Sequence, residues 1–258
     1  MNIQEMFKHR LRDFDSVFRA DKKMDLLKYI IIRSWYKILG KDENDLKEMI
    51  PDSYSSLKGF RFLSRGRTLD FLFYSKYYEP ETTNYLLKNS GRIFLDIGSH
   101  IGRFAVLGSK KFKKVFAFEA NPKNYEILVK NLKINSIENV TPINLAISNK
   151  EKNLLMDMPD LNTGATRISE KGNIKTKSVT LDKFLKKRGI SYGEVDFLLI
   201  DVEGHEDKVF DGGNKFLKKT NAKIIVECFD IEKIEKQLGK YGYKKKKCFD
   251  FYNYLFVK

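Results

Sequence analysis

Apolar and polar positions fall into blocks along most of this chain, and the blocks follow two periods. Short runs that are apolar almost throughout occur at 93–95 (IFL), 114–119 (KVFAFE), 140–145 (VTPINL), 195–200 (VDFLLI) and 222–226 (AKIIV). Runs this short and this apolar predict strands buried on both faces. Between them the spacing becomes helical. After Pro122, a residue suited to the first helical position, Tyr125, Leu128, Val129 and Leu132 recur on one face. Strands alternating with helices predict a parallel sheet covered on both sides, a doubly wound α/β fold. The tail adds two strands, 244–249 (KKKKCF) and 252–258 (YNYLFVK), joined at a turn near Asp250, which predict an antiparallel edge.

The first 55 residues are patterned differently. In 25–39 (DLLKYIIIRSWYKIL) apolar residues stand at 26, 27, 30, 31, 35, 38 and 39, a helical stripe, with Lys28, Arg33 and Lys37 on the remaining face. Gly40 and Pro51 bound this segment as breakers. The stripe predicts packing against the α/β part or against a second copy of the chain, a homodimer. Its basic face leaves open a resting place on an anionic membrane surface. Residues 57–75 predict short strands or a hairpin with Arg65-Gly66-Arg67 at its turn. Residues 149–178 lack helical periodicity and predict a hairpin and loop beside the pocket. The expected division is therefore a helical appendage at 1–55 and a main domain at 56–258.

The stretch that carries chemistry is 93–102, IFLDIGSHIG. It reads as a buried strand turning tightly into a helix, with Gly98 and Gly102 where backbone must approach a ligand. A dinucleotide site needs three glycines as G-x-G-x-x-G. Here there are two, and Asp96 stands where it would repel a pyrophosphate. A cationic nucleoside without phosphate fits better, and S-adenosylmethionine is one. Glu119 ends the second strand roughly 20 residues on, where an acid holds ribose hydroxyls. Asp201 and Glu227 likewise end strands. Ligands of such sheets bind beyond the carboxyl ends of the strands, where four acids, Asp96, Glu119, Asp201 and Glu227, collect.

At this point the chain resembles the FkbM-type S-adenosylmethionine-dependent methyltransferases. The resemblance rests on YYEP at 77–80, LDIGSHIG at 95–102, FEANP at 118–122 and DFLLIDVEGHE at 196–206, and it covers about residues 58–230. NLAIS at 144–148, NTGAT at 162–166 and VTLDKFL at 179–185 suit it as well. It implies a Rossmann-like sheet of seven strands with the last antiparallel, and S-adenosyl-L-methionine as cofactor. Asp96, Gly98, His100, Gly102, Glu119, Ala120, Asn121, Asn144, Ala146 and Asp201 would surround that cofactor. The acceptor would be a hydroxyl of a sugar, a glycan or glycolipid, or a secondary metabolite. A hydroxyl is a poor nucleophile, so a base should assist. Asp201, Glu203 and His205, after the fourth strand, are the candidate catalytic residues. No metal is assigned, although Asp201 and Glu227 together could offer carboxylate oxygens to Mg²⁺.

Composition changes this picture little. The chain is 42% hydrophobic and 32% charged over 258 residues, room for a catalytic domain and an appendage. Its two cysteines make no disulfide framework, and Cys228 reads as core. The segment at the N-terminus lacks a signal-peptide apolar run, and no window suits a spanning helix, so the expected location is cytoplasmic. The net charge of +15 is the oddity, concentrated partly at Lys244–Lys247 and around Lys110–Lys114. It keeps a nucleic-acid methyltransferase as an alternative, although no RNA-binding module is visible and nucleic acid is not the expected partner. A nicotinamide-dependent oxidoreductase or a non-catalytic nucleoside-binding protein would share the sheet. The glycine spacing and the acids after the fourth strand argue against these two.

Overall fold

The computed structural model describes residues 3–258, with side chains from Lys8 onward; Met1 and Asn2 of the expected appendage lie outside the described residues. Helices α1 (Ile3–Arg19) and α2 (Lys23–Ile38) come first, followed by the hairpin β1 (Ser53–Leu57) and β2 (Phe60–Ser64). Ser53–Leu57 spans the expected domain boundary at 55/56. The hairpin turns at Lys58-Gly59, both at positive φ, and not at Arg65-Gly66-Arg67 as expected. A two-residue loop with left-handed backbone at both positions matches the twist of the paired strands, and Gly59 meets that demand locally.

Helix α3 (Pro80–Lys88) leads into β3 (Gly91–Ile97), α4 (Arg103–Gly108), β4 (Phe112–Phe118), α5 (Pro122–Ile134) and β5 (Val140–Ile143). An insertion follows: β6 (Ala146–Ile147), β7 (Asn153–Asp157), β8 (Arg167–Ile168) and β9 (Ile174–Val179), which form a separate small sheet. The chain then runs through α6 (Leu181–Lys187), β10 (Val195–Ile200), α7 (Glu206–Asp211), α8 (Asn214–Lys219), β11 (Lys223–Glu227), α9 (Ile231–Gly239), β12 (Lys244–Phe249) and β13 (Asn253–Val257).

The main sheet has seven strands in the order β12-β13-β11-β10-β3-β4-β5. Strand β13 is antiparallel to both of its neighbours, and the other pairings are parallel. The expected antiparallel edge is present: the tail forms an antiparallel hairpin at one side of the sheet. The tail hairpin inserts its second strand beside β11, so the antiparallel strand is internal and β12 is the edge. Lys244–Lys247 lie exposed on that edge, and charge on an edge strand discourages pairing with other chains.

Alternation along each strand separates two cores. Ile93, Leu95 and Ile97 face Phe184 of α6, Val209 of α7 and Ile234 of α9, while Phe94, Val115 and Ala117 face Val106 of α4 and Leu128 of α5. A third cluster ties Leu26, Tyr29 and Ile30 of α2 to Val17 of α1 and to Leu69, Phe71, Leu72 and Leu161. Arg33 was expected on the outer face of α2. It is buried instead and donates to Glu43 at 2.6 Å, with Asp13 at 3.5 Å. Burial of a guanidinium is tolerated because those carboxylates compensate it.

Candidate active site

The loops after β3, β4 and β10 are stitched together by backbone. The amides of Gly98 and Ser99 both donate to the carbonyl of Phe118, at 2.9 and 2.8 Å, and the amide of Asp201 donates to that of Ile97 at 2.9 Å. Gly98 sits at φ +91°, and a Cβ there would run into the carbonyl oxygen of Asp201. Only glycine satisfies both the conformation and the contact. Gly102 has the same φ, +91°, and a Cβ on it would collide with Leu128.

Above these loops lies a cavity of ≈ 430 Å³. Of the expected site residues, Gly98, His100, Glu119, Ala120, Ala146, Asp201, Glu203 and His205 line it. Asp96, Gly102, Asn121 and Asn144 do not. Asp96 shares the parity of Phe94, so its side chain leaves β3 on the opposite side from the cavity-lining Ile97. It is buried, and burial, partly offset by the Ser99 hydroxyl and the Ala105 amide, pushes its pKa up to about 7. Asn121 caps α5 by accepting from the amide of Lys123. Asn144 donates to the carbonyls of Glu119 and Ala120 at 2.8 and 3.2 Å, fixing the loop that carries them.

Glu119 is buried and accepts from the amides of His100 and Asn121 at 2.7 and 2.8 Å. Each oxygen keeps a lone pair for a ribose hydroxyl. Burial, only partly offset by those amides, raises its pKa to about 7. Leu145, Ala146 and Met156 give the cavity an apolar wall, the kind of surface that an adenine ring can pack on. His100 is held by a network from the segment after β2 and from the insertion. Its Nε2 lies 2.8 Å from the Thr163 hydroxyl, which donates to Asp70 at 2.7 Å and accepts from Arg65 at 2.9 Å. The hydroxyl proton and that accepting position being used, His100 must donate from Nε2. Burial holds its pKa down at about 4, so the ring is neutral.

Tyr78, Glu79, Arg103 and Glu227 also line the cavity. None of the first three was singled out from the sequence, although YYEP contains two of them. Glu79, Asp201, Glu203 and Glu227 crowd together. Burial raises all four, and repulsion between acids adds to it, from Glu206 in the case of Glu203: Glu79 reaches about 7 despite the opposing charge of Arg103, Glu227 about 8, and Asp201 lies well above the carboxylate range. His205, a candidate catalytic residue, is hydrogen-bonded within the protein. Its Nε2 is 2.9 Å from the Ser148 hydroxyl, and burial lowers its pKa to about 4. Among the described residues no group of three or more His, Cys, Asp or Glu is arranged to hold a metal ion.

Crowded acids and a free ribose acceptor fit a cationic nucleoside. A cation binds the ionised cluster, so binding S-adenosylmethionine expels protons that Glu79, Glu119 and Glu227 hold in the free protein. Affinity should rise as pH climbs from 6 through 8, and the binding enthalpy should depend on the ionisation heat of the buffer. Calorimetry in two buffers checks this; a flat affinity across that window would be inconsistent with the cluster.

Residues 96–245 match the methyltransferase FkbM domain. The hexuronic acid methyltransferase AglP of Haloferax volcanii is 28% identical over 134 residues, which cover 52% of this chain and 54% of that protein. The tRNA (guanine(37)-N(1))-methyltransferase Trm5b of Pyrococcus abyssi is 31% identical over 78 residues, covering 29% of this chain and 24% of that protein. Among solved structures, the methyltransferase FkbM from Methylobacillus flagellatus KT superposes with a TM-score of 0.48 at 15% identity, over 73% of this chain and 52% of that one. The aligned part thus spans about half of the first of these relatives and less of the second. The domain match takes in more than half of the chain and all four of the acid-bearing strand ends, and on that ground the chain belongs to the FkbM family of S-adenosylmethionine-dependent methyltransferases.

Proposed function

We propose that this chain transfers a methyl group from S-adenosylmethionine to a hydroxyl of a sugar or glycan. The observation that carries the proposal is the Asp201 carboxylate, crowded by Glu227, Glu79 and Glu203 in one cavity. The cofactor supplies an electrophilic methyl on a sulfonium. The protein's part is to hold the acceptor oxygen in line with that methyl and to take the hydroxyl proton as the bond forms. Asp201 suits the second task, since neighbouring negative charge raises its basicity. Glu203 stands at φ +51° beside Gly204 at φ +95°, a turn that brings its side chain to the cavity wall for acceptor contact. The similarity to a hexuronic acid methyltransferase supports a sugar acceptor, uronic acids among them.

An RNA acceptor has less support. The Lys110–Lys114 cluster flanks the start of β4, whereas the cavity lies at that strand's end. Seven residues of strand put roughly 20 Å between them. Incubation with methyl-labelled S-adenosylmethionine should label uronic-acid-containing glycans and leave transfer RNA unlabelled. Labelling of transfer RNA alone would overturn the proposal.

The membrane surface belongs to the same reading. The outward side of α2 carries Met24, Ile31, Trp35, Ile38 and Leu39, between 48% and 70% exposed, although the opposite side packs inward. Exposed Lys22, Lys23, Lys28, Lys37 and Lys41 accompany this stripe. An exposed tryptophan among aliphatics and lysines suits an anionic bilayer. Among the described residues no helix is long and apolar enough to cross a membrane. The protein should co-sediment with phosphatidylserine-containing vesicles at low salt, and Trp35→Ala with Ile38→Ser should abolish it. Vesicle-independent dimerisation lost in the same variant would assign the stripe to a second copy instead.

A further inference from the structure

Arg103 opens α4 one residue after the glycine turn, and its place is unusual for an arginine. It is 5% exposed, and its Nη2 donates to the carbonyl of Tyr78 at 2.7 Å, while Nε and Nη1 have no partner. Its guanidinium carbon lies over the rings of Tyr78 and Phe104, 5.2 and 4.8 Å from their centroids. It lines the same cavity as Gly98, Glu79 and Asp201. A guanidinium does not shed its proton in proteins, so two buried N–H-bearing atoms without acceptors call for an anion.

Glu79 complements it. It holds a left-handed backbone at φ +40°, which a non-glycine residue adopts at a cost, and its side chain does not cap α3 although it occupies the capping position. Glu79 lines the cavity instead, with the Tyr78 side chain and the Arg103 charge beside its carboxylate. An arginine and an acid therefore share one cavity; each favours the other's charged form, but no salt bridge joins them. That is the complement of a zwitterion, with an acid for its ammonium and an arginine for its carboxylate.

We propose that Arg103 binds the α-carboxylate of the methionine portion of S-adenosylmethionine and that Glu79 receives its α-ammonium. The inference rests on the cofactor reading above and assigns the end of the cavity that Glu119 leaves unexplained. The guanidinium can offer the carboxylate its Nε and Nη1 donors together, while Nη2 stays on Tyr78.

The test uses two ligands that differ only in the amino-acid portion. S-adenosylhomocysteine has it, and 5′-methylthioadenosine replaces it with a methyl group. Both are titrated calorimetrically into the wild-type chain and into Arg103→Met, Arg103→Lys and Glu79→Gln, each checked by thermal melting. Arg103→Met keeps most of the apolar stem and should weaken S-adenosylhomocysteine about 10- to 100-fold. Its affinity for 5′-methylthioadenosine should stay within about twofold. Arg103→Lys should recover part of the loss, because charge remains but the paired donors do not. Equal losses for both ligands would reduce Arg103 to a structural residue. Unchanged S-adenosylhomocysteine affinity in a folded variant, with a raised acceptor KM, would assign Arg103 to an acidic acceptor instead. If Arg103→Met does not fold, a wild-type preference for S-adenosylhomocysteine that Arg103→Lys retains in full would equally overturn the proposal. A wild-type chain that binds neither ligand would show that the cofactor reading itself has failed.

Discussion

Replacing Asp201 with asparagine is expected to lower methyl-transfer turnover by about 10²–10⁴, the usual worth of a positioned general base. The residue follows β10, faces the cavity, and carries a carboxyl that burial and the neighbouring Glu227, Glu79 and Glu203 hold well above its ordinary range. Asparagine keeps the shape and relieves the crowding, so the variant should fold at least as well as the parent. The rate loss should appear in kcat, while S-adenosylhomocysteine affinity changes much less. His205→Ala should behave differently. Its ring is neutral, a weak base, and hydrogen-bonded to Ser148, so its loss should cost under about tenfold. Steady-state kinetics of both variants decide the matter. A His205 effect as large as that of Asp201 would move the base to the histidine.

The second large effect concerns Glu119. Glu119→Ala is expected to weaken S-adenosylmethionine by roughly 2–3 kcal/mol, about 30- to 150-fold, through the loss of charge-assisted bonds to the ribose. The substitution also strips acceptors from the amides of His100 and Asn121, so part of the cost falls on the glycine turn itself. Glu119→Gln separates the two contributions. It retains an acceptor for the turn and loses the charge, and it should fall between the parent and the alanine variant. An unchanged affinity in a folded Glu119→Ala protein would remove the residue from the ribose site.

The sequence was most legible where burial alone decides structure. Runs such as VDFLLI at 195–200 are apolar on both faces and become the central strands. The helix after Pro122 follows from its period and its cap. Glycine turns and strand-end acids could be located because topology requires ligands at that end of the sheet. Other features were not legible in the motifs themselves. Strand parity, not the motif, sends Asp96 away from the cavity. The burial of Arg33 depends on Glu43 and Asp13 arriving from other segments. Tyr78, Glu79 and Arg103 meet only once α3 packs beside α4, and a charged residue gives no sequence sign that it will be buried. The role of Thr163 in NTGAT was likewise invisible, because its partners are His100, Asp70 and Arg65 from distant parts of the chain.

The cavity is built for S-adenosylmethionine and not for a dinucleotide. Calorimetric titration of the purified chain with S-adenosylhomocysteine, and separately with NAD, tests it most directly. The account predicts micromolar binding of S-adenosylhomocysteine, on the order of −8 kcal/mol, and no measurable heat from NAD. Tight NAD binding with no response to S-adenosylhomocysteine would contradict it.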